Sequence, residues 1–93
     1  MKASEIATEA ARLVNGDRNA THGDMMKNHQ NIADLWNAYI GNRPNWEGEL
    51  TAVDVALMMA LLKVARTQTG TFNADDYTDL CGYAAIAGEI AQR

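Results

Sequence analysis

Apolar positions in this chain return every three or four residues in separate stretches, the period of a helix with one covered face. Ile6, Ala10, Leu13 and Val14 form the first stripe and predict a helix from about Ser4 to Val14, with Gly16 just past its end. Met25, His29, Ile32, Trp36 and Tyr39 form the second, with Ile40 beside them. Asp24 is a good N-cap for that helix, and Gly41 is the expected stop. The stretch "NRPNWEGE" then gathers proline, asparagine and glycine and reads as a surface loop, with Trp46 turned back onto the body.

The third stretch is different in kind. From Thr51 to about Thr67 nearly every residue is apolar, including Val53, Val55, Leu57, Met58, Met59, Leu61, Leu62 and Val64. A helix apolar all round belongs at the centre of a bundle or in a subunit interface. Its start, "TAVD", fits a capping box in which the acid reaches back to the cap. A second box, "NADD", opens a fourth helix that runs to about Ala91. That helix is rich in small residues: Gly82, Ala84, Ala85, Ala87 and Gly88. Each mid-helix glycine costs roughly 1 kcal/mol of propensity, which makes sense where another backbone comes close. The expectation is an all-α fold: a single helical domain over 1–93, a compact four-helix arrangement with a central apolar helix at about 52–67, in an oligomer.

Composition narrows this further. The 93 residues make one small domain, and a chain so short buries a modest share of its surface, so association would help it. Aromatics are 6% and proline occurs once; Ala, Leu and Met are common, which favours helices. The formal charge of −4 does not invite nucleic acid or an anionic membrane as partner. Cys81 is the single cysteine, which excludes an internal disulfide and fits a reducing cytosol. The N-terminal stripe is amphipathic and acidic, unlike a signal peptide. The longest apolar run is interrupted by Asp54 and Lys63, so no membrane span is expected.

Candidate chemistry gathers at two places. Lys63 and Arg66 share a face in the last turn of the third helix, and Asp76, Asp79 and Tyr83 fall on one stripe of the fourth. The short connection brings them together. Cations at a helix C-terminus and acids at an N-terminus both complement the helix dipole, so an ion-pair network is one reading. A pocket for a charged ligand is the other: Arg66 and Lys63 for phosphate, the carboxylates for a metal or a sugar hydroxyl, Tyr83 for a base. The second place is "RNATHGDMMKNH". There Gly23 allows a bend, Asp24 caps a helix, Met25, Met26 and His29 face inward, and Arg18, His22 and Asn28 stand near a helix N-terminus, which favours anions. Spacings for zinc, a P-loop or an activated nucleophile are absent.

The runs "RNATHGDMMKNHQNIADLWNAYIG", "LTAVDVALMMALLKVART" and "DDYTDLCGYAAIAGE" resemble a group of small phage-encoded helical proteins of unassigned activity. That group is similar to the nucleotide-modification-associated helical domain, through K-x-x-R and D-x-x-D-x-x-x-Y helices. More distantly it is similar to the MazG-like all-α nucleoside triphosphate pyrophosphohydrolases, which hold magnesium with two acidic pairs on two helices. Here Asp76 and Asp79 match one pair. The other is missing, since "KNHQNIADLW" offers only Asp34.

The resemblance implies a phage protein of the host bacterial cytoplasm that binds a nucleotide or a nucleotide-derived defence signal, such as a cyclic dinucleotide or an ADP-ribose derivative, and sequesters it without efficient hydrolysis. The implied ligand-binding residues are Arg18, His22, Gly23, Asp24, Asn28, Lys63, Arg66 and Tyr83, with no catalytic residue. The alternative it implies is a Mg²⁺-dependent pyrophosphohydrolase with Asp76 and Asp79 as metal ligands. A protein whose helices serve only assembly is the third reading.

Overall fold

The computed structural model describes residues 1–16 and 24–93. Among them are four α-helices: α1 (Ala3–Asn15), α2 (Met25–Asn42), α3 (Ala52–Arg66) and α4 (Ala74–Ala91), with no strand. The all-α expectation therefore holds, with ends that differ in instructive ways. α2 does not stop at Gly41 but runs on to Asn42. What ends it is Pro44, whose ring drives the preceding residue out of the helical region; Arg43 has φ −74° and ψ 123°.

Three of the helix starts were written in the sequence; two formed as expected and one differently. Asp24 caps α2, accepting from the Met26 amide at 2.8 Å. At α3 the box closes in both directions: Asp54 N–H donates to Thr51 Oγ1 at 3.2 Å, and Asp54 Oδ2 accepts from Thr51 N–H at 2.8 Å. At α4 the expected second box is replaced by a simpler cap. Asn73 Oδ1 accepts from the Asp75 amide at 3.0 Å, while the Asp76 side chain turns away to Arg66.

α3 is the central helix. It packs chiefly on α4 and on its other side against α2. The buried apolar residues are small apart from Met58: Ala56, Ala60 and Ala65 on α3 and Ala87 on α4. Small side chains at a helix contact let the axes approach toward the short end of the usual 8–10 Å range. Of the small residues in α4, only Ala87 serves this purpose. Gly82, Ala84, Ala85 and Gly88 are exposed, and a Cβ at Gly82 or Gly88 would meet nothing within 4 Å. Among the described residues, no backbone comes within 4 Å of a Cβ placed at either glycine.

α2 keeps Ile32, Trp36 and Tyr39 of its predicted stripe covered and departs from it in its first turn. Met25, Met26 and His29 are exposed, and Asn28 is the buried residue of the helix. The covered face runs from Asn28 through Ile32, Leu35, Trp36 and Tyr39; the Trp36 indole N–H donates to the Met58 carbonyl of α3 at 2.7 Å, and Asn28 accepts from Thr69. α1 has no buried residue at all; Ile6 and Val14 lie exposed and Leu13 is half-buried.

Candidate functional site

The turn between α3 and α4 folds the last turn of one helix against the first turns of the next. Gly70, at φ 73°, supplies the left-handed residue this reversal needs. Its effect is to set two cations against two acids. Lys63 Nζ lies 3.0 Å from Asp79 Oδ2, and Arg66 Nε lies 3.3 Å from Asp76 Oδ1. Lys63 is 9% exposed and Asp76 2%, whereas the Asp79 side chain is about half exposed. The charges are therefore graded from a buried pair to one open to water. Tyr83 is half-buried on the same inward stripe of α4, one turn beyond Asp79.

The first turn of α2 reaches the same place. Asn28 Oδ1 accepts a hydrogen bond from Thr69, three residues past Arg66. Lys63, Arg66, Asn28, Asp76 and Asp79 thus belong to one junction of three elements. Asp24 stands at the end of α2, where its carboxylate is engaged in capping. Arg18, His22 and Gly23 lie outside the described residues.

Two aromatic residues at this junction were not among the expected ones. Phe72 and Tyr77 stack across the start of α4, with ring centroids 5.8 Å apart and planes 28° from parallel. Phe72 is 79% exposed. The signal available in the sequence was a pair of aromatics five apart on either side of a helix cap, which periodicity alone does not flag. Bases and other planar groups stack on such exposed rings.

A second polar cluster lies at the other end of α3. Asp54 Oδ1 accepts from the Tyr39 hydroxyl at 2.7 Å and faces Arg43 Nε at 3.0 Å; Oδ2 accepts from the Thr51 amide at 2.8 Å and hydroxyl at 2.9 Å. The Arg43 guanidinium in turn covers the Trp46 ring at 5.5 Å. Tyr39 above all, then the Thr51 amide, holds the Asp54 carboxyl below the usual carboxylate range. Burial, reinforced by Asp54, pushes the Tyr39 phenol up. Both oxygens of Asp54 are fully used, so this is a clamp that joins α2, the loop and α3. Beside it lies an open groove of about 780 Å³, walled mainly by apolar parts of α2, α3 and the end of α4.

Magnesium can be tested against the donors present. Among the described residues no three His, Cys, Asp or Glu side chains gather in a way that could hold a metal. Asp76 and Asp79 each already face a cation, and a hard dication needs several oxygens not so engaged. The described residues do not fit that ion.

A junction of paired cations and acids, with an exposed aromatic pair beside it, thus sits on a small helical bundle, and the class this defines is that of the all-α proteins. The comparisons supply the family. Residues 5–91 match the model of DUF6378, a domain of unknown function, and the chain belongs to that family. It is similar to the Gene 55 protein of Mycobacterium phage L5, 41% identical over 81 residues covering 87% of this chain and 49% of the relative. It is also similar to the Gene 55 protein of Mycobacterium phage D29, 36% identical over 85 residues covering 91% of this chain and 52% of the relative. The chain spans about half the length of these curated relatives. Their phage origin agrees with the phage character the motifs implied. No solved structure matches. Among the described residues no helix is long and apolar enough to cross a membrane.

Proposed function

We propose that this protein binds a nucleotide or a nucleotide-derived signal at the α3–α4 junction and sequesters it without efficient hydrolysis. The observation that carries the reading is the pair Lys63 and Arg66, both largely buried at the end of α3 yet joined to the exposed ring pair Phe72–Tyr77 by the same short turn. Guanidinium and ammonium groups suit phosphate, and the rings suit a base. The resemblance to the nucleotide-modification-associated domain and the MazG-like enzymes, through the K-x-x-R and D-x-x-D-x-x-x-Y spacings, points to the same ligand class. The donor set described above favours holding over cutting. In this reading the protein acts as a homo-oligomer, because α1 leaves its apolar stripe uncovered.

The test is a thermal-shift screen with mono-, tri- and cyclic nucleotides and ADP-ribose. A ligand at a hundred times its Kd adds about 2.7 kcal/mol of stability, and the nucleotide recovered after denaturing the protein should be intact. Absence of any shift sinks the binding reading, and recovery of a cleaved nucleotide sinks the sequestration reading. Arg66→Ala should abolish the shift.

A further inference from the structure

The protein buries two aspartates, and they are treated in opposite ways. Asp54, 1% exposed, has donors on both oxygens. Asp76, 2% exposed, has an Oδ1 with no hydrogen-bond partner. Arg66 Nε stands 3.3 Å from that oxygen, close enough to compensate its charge but not aligned to bond it. Buried acceptors are nearly always bonded. Donors close by are committed elsewhere: the Lys63 ammonium faces Asp79, and Thr69 bonds Asn28. The contrast with Asp54 shows that this fold can saturate a buried carboxylate where the role is structural.

Resting on the nucleotide reading above, we propose that Asp76 Oδ1 is an acceptor kept for the ligand. The site then selects a phosphate-bearing ligand that also presents an O–H or N–H donor, and discriminates against a bare anion. A divalent cation is the weaker candidate for that oxygen, since a guanidinium already stands beside it and no third acid joins it among the described residues. Asp76 is thus a specificity-determining residue, while Lys63 and Arg66 supply affinity for charge. A ribose hydroxyl and a base N–H are chemically equivalent donors here.

The experiment measures binding of inorganic pyrophosphate, ATP, GTP and the 2′,3′-dideoxy forms of both to the wild-type protein and to Asp76→Asn, in EDTA. At least one nucleotide should bind the wild type tenfold or more tighter than pyrophosphate. Asp76→Asn should weaken that nucleotide by about 10- to 100-fold, the range for a hydrogen bond to a charged group, and leave pyrophosphate within about twofold. Dideoxy forms that bind as weakly as the variant's nucleotide assign the donor to the ribose; dideoxy forms that keep their affinity assign it to the base. Equal loss of nucleotide and pyrophosphate in Asp76→Asn overturns the inference and leaves the nucleotide reading standing, as does nucleotide binding that is absent in EDTA and appears only in a parallel titration with Mg²⁺. If the wild type binds neither pyrophosphate nor either nucleotide with or without Mg²⁺, and no nucleotide of the thermal-shift screen raises its melting temperature, the nucleotide reading itself fails at this site. Should Asp76→Asn not fold, the wild-type preference for nucleotide over pyrophosphate decides, and equal affinities overturn the proposal.

Discussion

Single residues at the α3–α4 junction differ sharply in what their loss should cost. Removing Arg66 leaves the Asp76 carboxylate buried without a compensating charge, and breaking a buried pair in this way costs about 3–5 kcal/mol. Asp79→Asn should cost less: its carboxylate is half in water, and the amide keeps an oxygen that can face the Lys63 ammonium. Urea unfolding of the two variants checks the ordering; equal midpoints would refute the gradient of burial across the junction. At the other end, Asp54 has a lowered pKa in the folded state. Its contribution is full above the unfolded value of about 3.9 and is lost as pH falls from there through the lowered folded value. Tyr39→Phe removes the largest cause of that lowering, so the acid limb of its stability profile should be shallower than in the wild type. Parallel limbs in the two profiles would refute this.

At the scale of elements, much was legible in the sequence because caps and proline act locally. Thr51, Asp54, Asp24, Asn73 and Pro44 set the bounds of three helices through contacts within about four residues. The capping box at α3 nonetheless concealed the larger role of Asp54. Its partners Tyr39 and Arg43 are separated from it by a loop, and no period links them. Faces were read less well than ends. In α4 small residues lie on every side, so composition could not say which side was covered, and in the first turn of α2 the polar Asn28, bonded by Thr69, is buried in place of Met25 and His29. The outer face of α4 yields a direct test. With open space at Gly82 and Gly88, Gly82→Ala and Gly88→Ala should each stabilise the single chain by up to about 1 kcal/mol. Destabilisation instead, with a fall in solution mass, would show that a second copy packs there.

For the whole molecule, α2 to α4 form the packed body and α1 contributes no buried residue. The candidate site could be anticipated as Lys63, Arg66, Asp76 and Asp79 because the α3–α4 turn is short, and short turns make neighbours of helix ends. Neither the burial of Asp76 nor the exposure of Phe72 follows from spacing, since both depend on how the side chains pack in three dimensions. If the α1 stripe is where copies associate, Ile6→Glu combined with Leu13→Glu should lower the mass measured by light scattering to that of one chain, with the helical signal of the body unchanged. An unaltered mass would remove α1 from the association surface.

The two tryptophans have an optical consequence. Trp36 is bonded to the middle of α3, and Trp46 lies beneath the Arg43 guanidinium. Both belong to the side of the molecule where α2 meets α3, and neither is among the residues of the α3–α4 turn. Intrinsic tryptophan emission will therefore report melting of the body, and occupancy of the junction will reach it only through a raised melting temperature. Tyrosine is the chromophore placed to sense a ligand directly: Tyr77 and Tyr83 lie in α4, so difference absorbance near the phenol band, in a protein titrated at constant temperature, is the signal that should move when the junction fills.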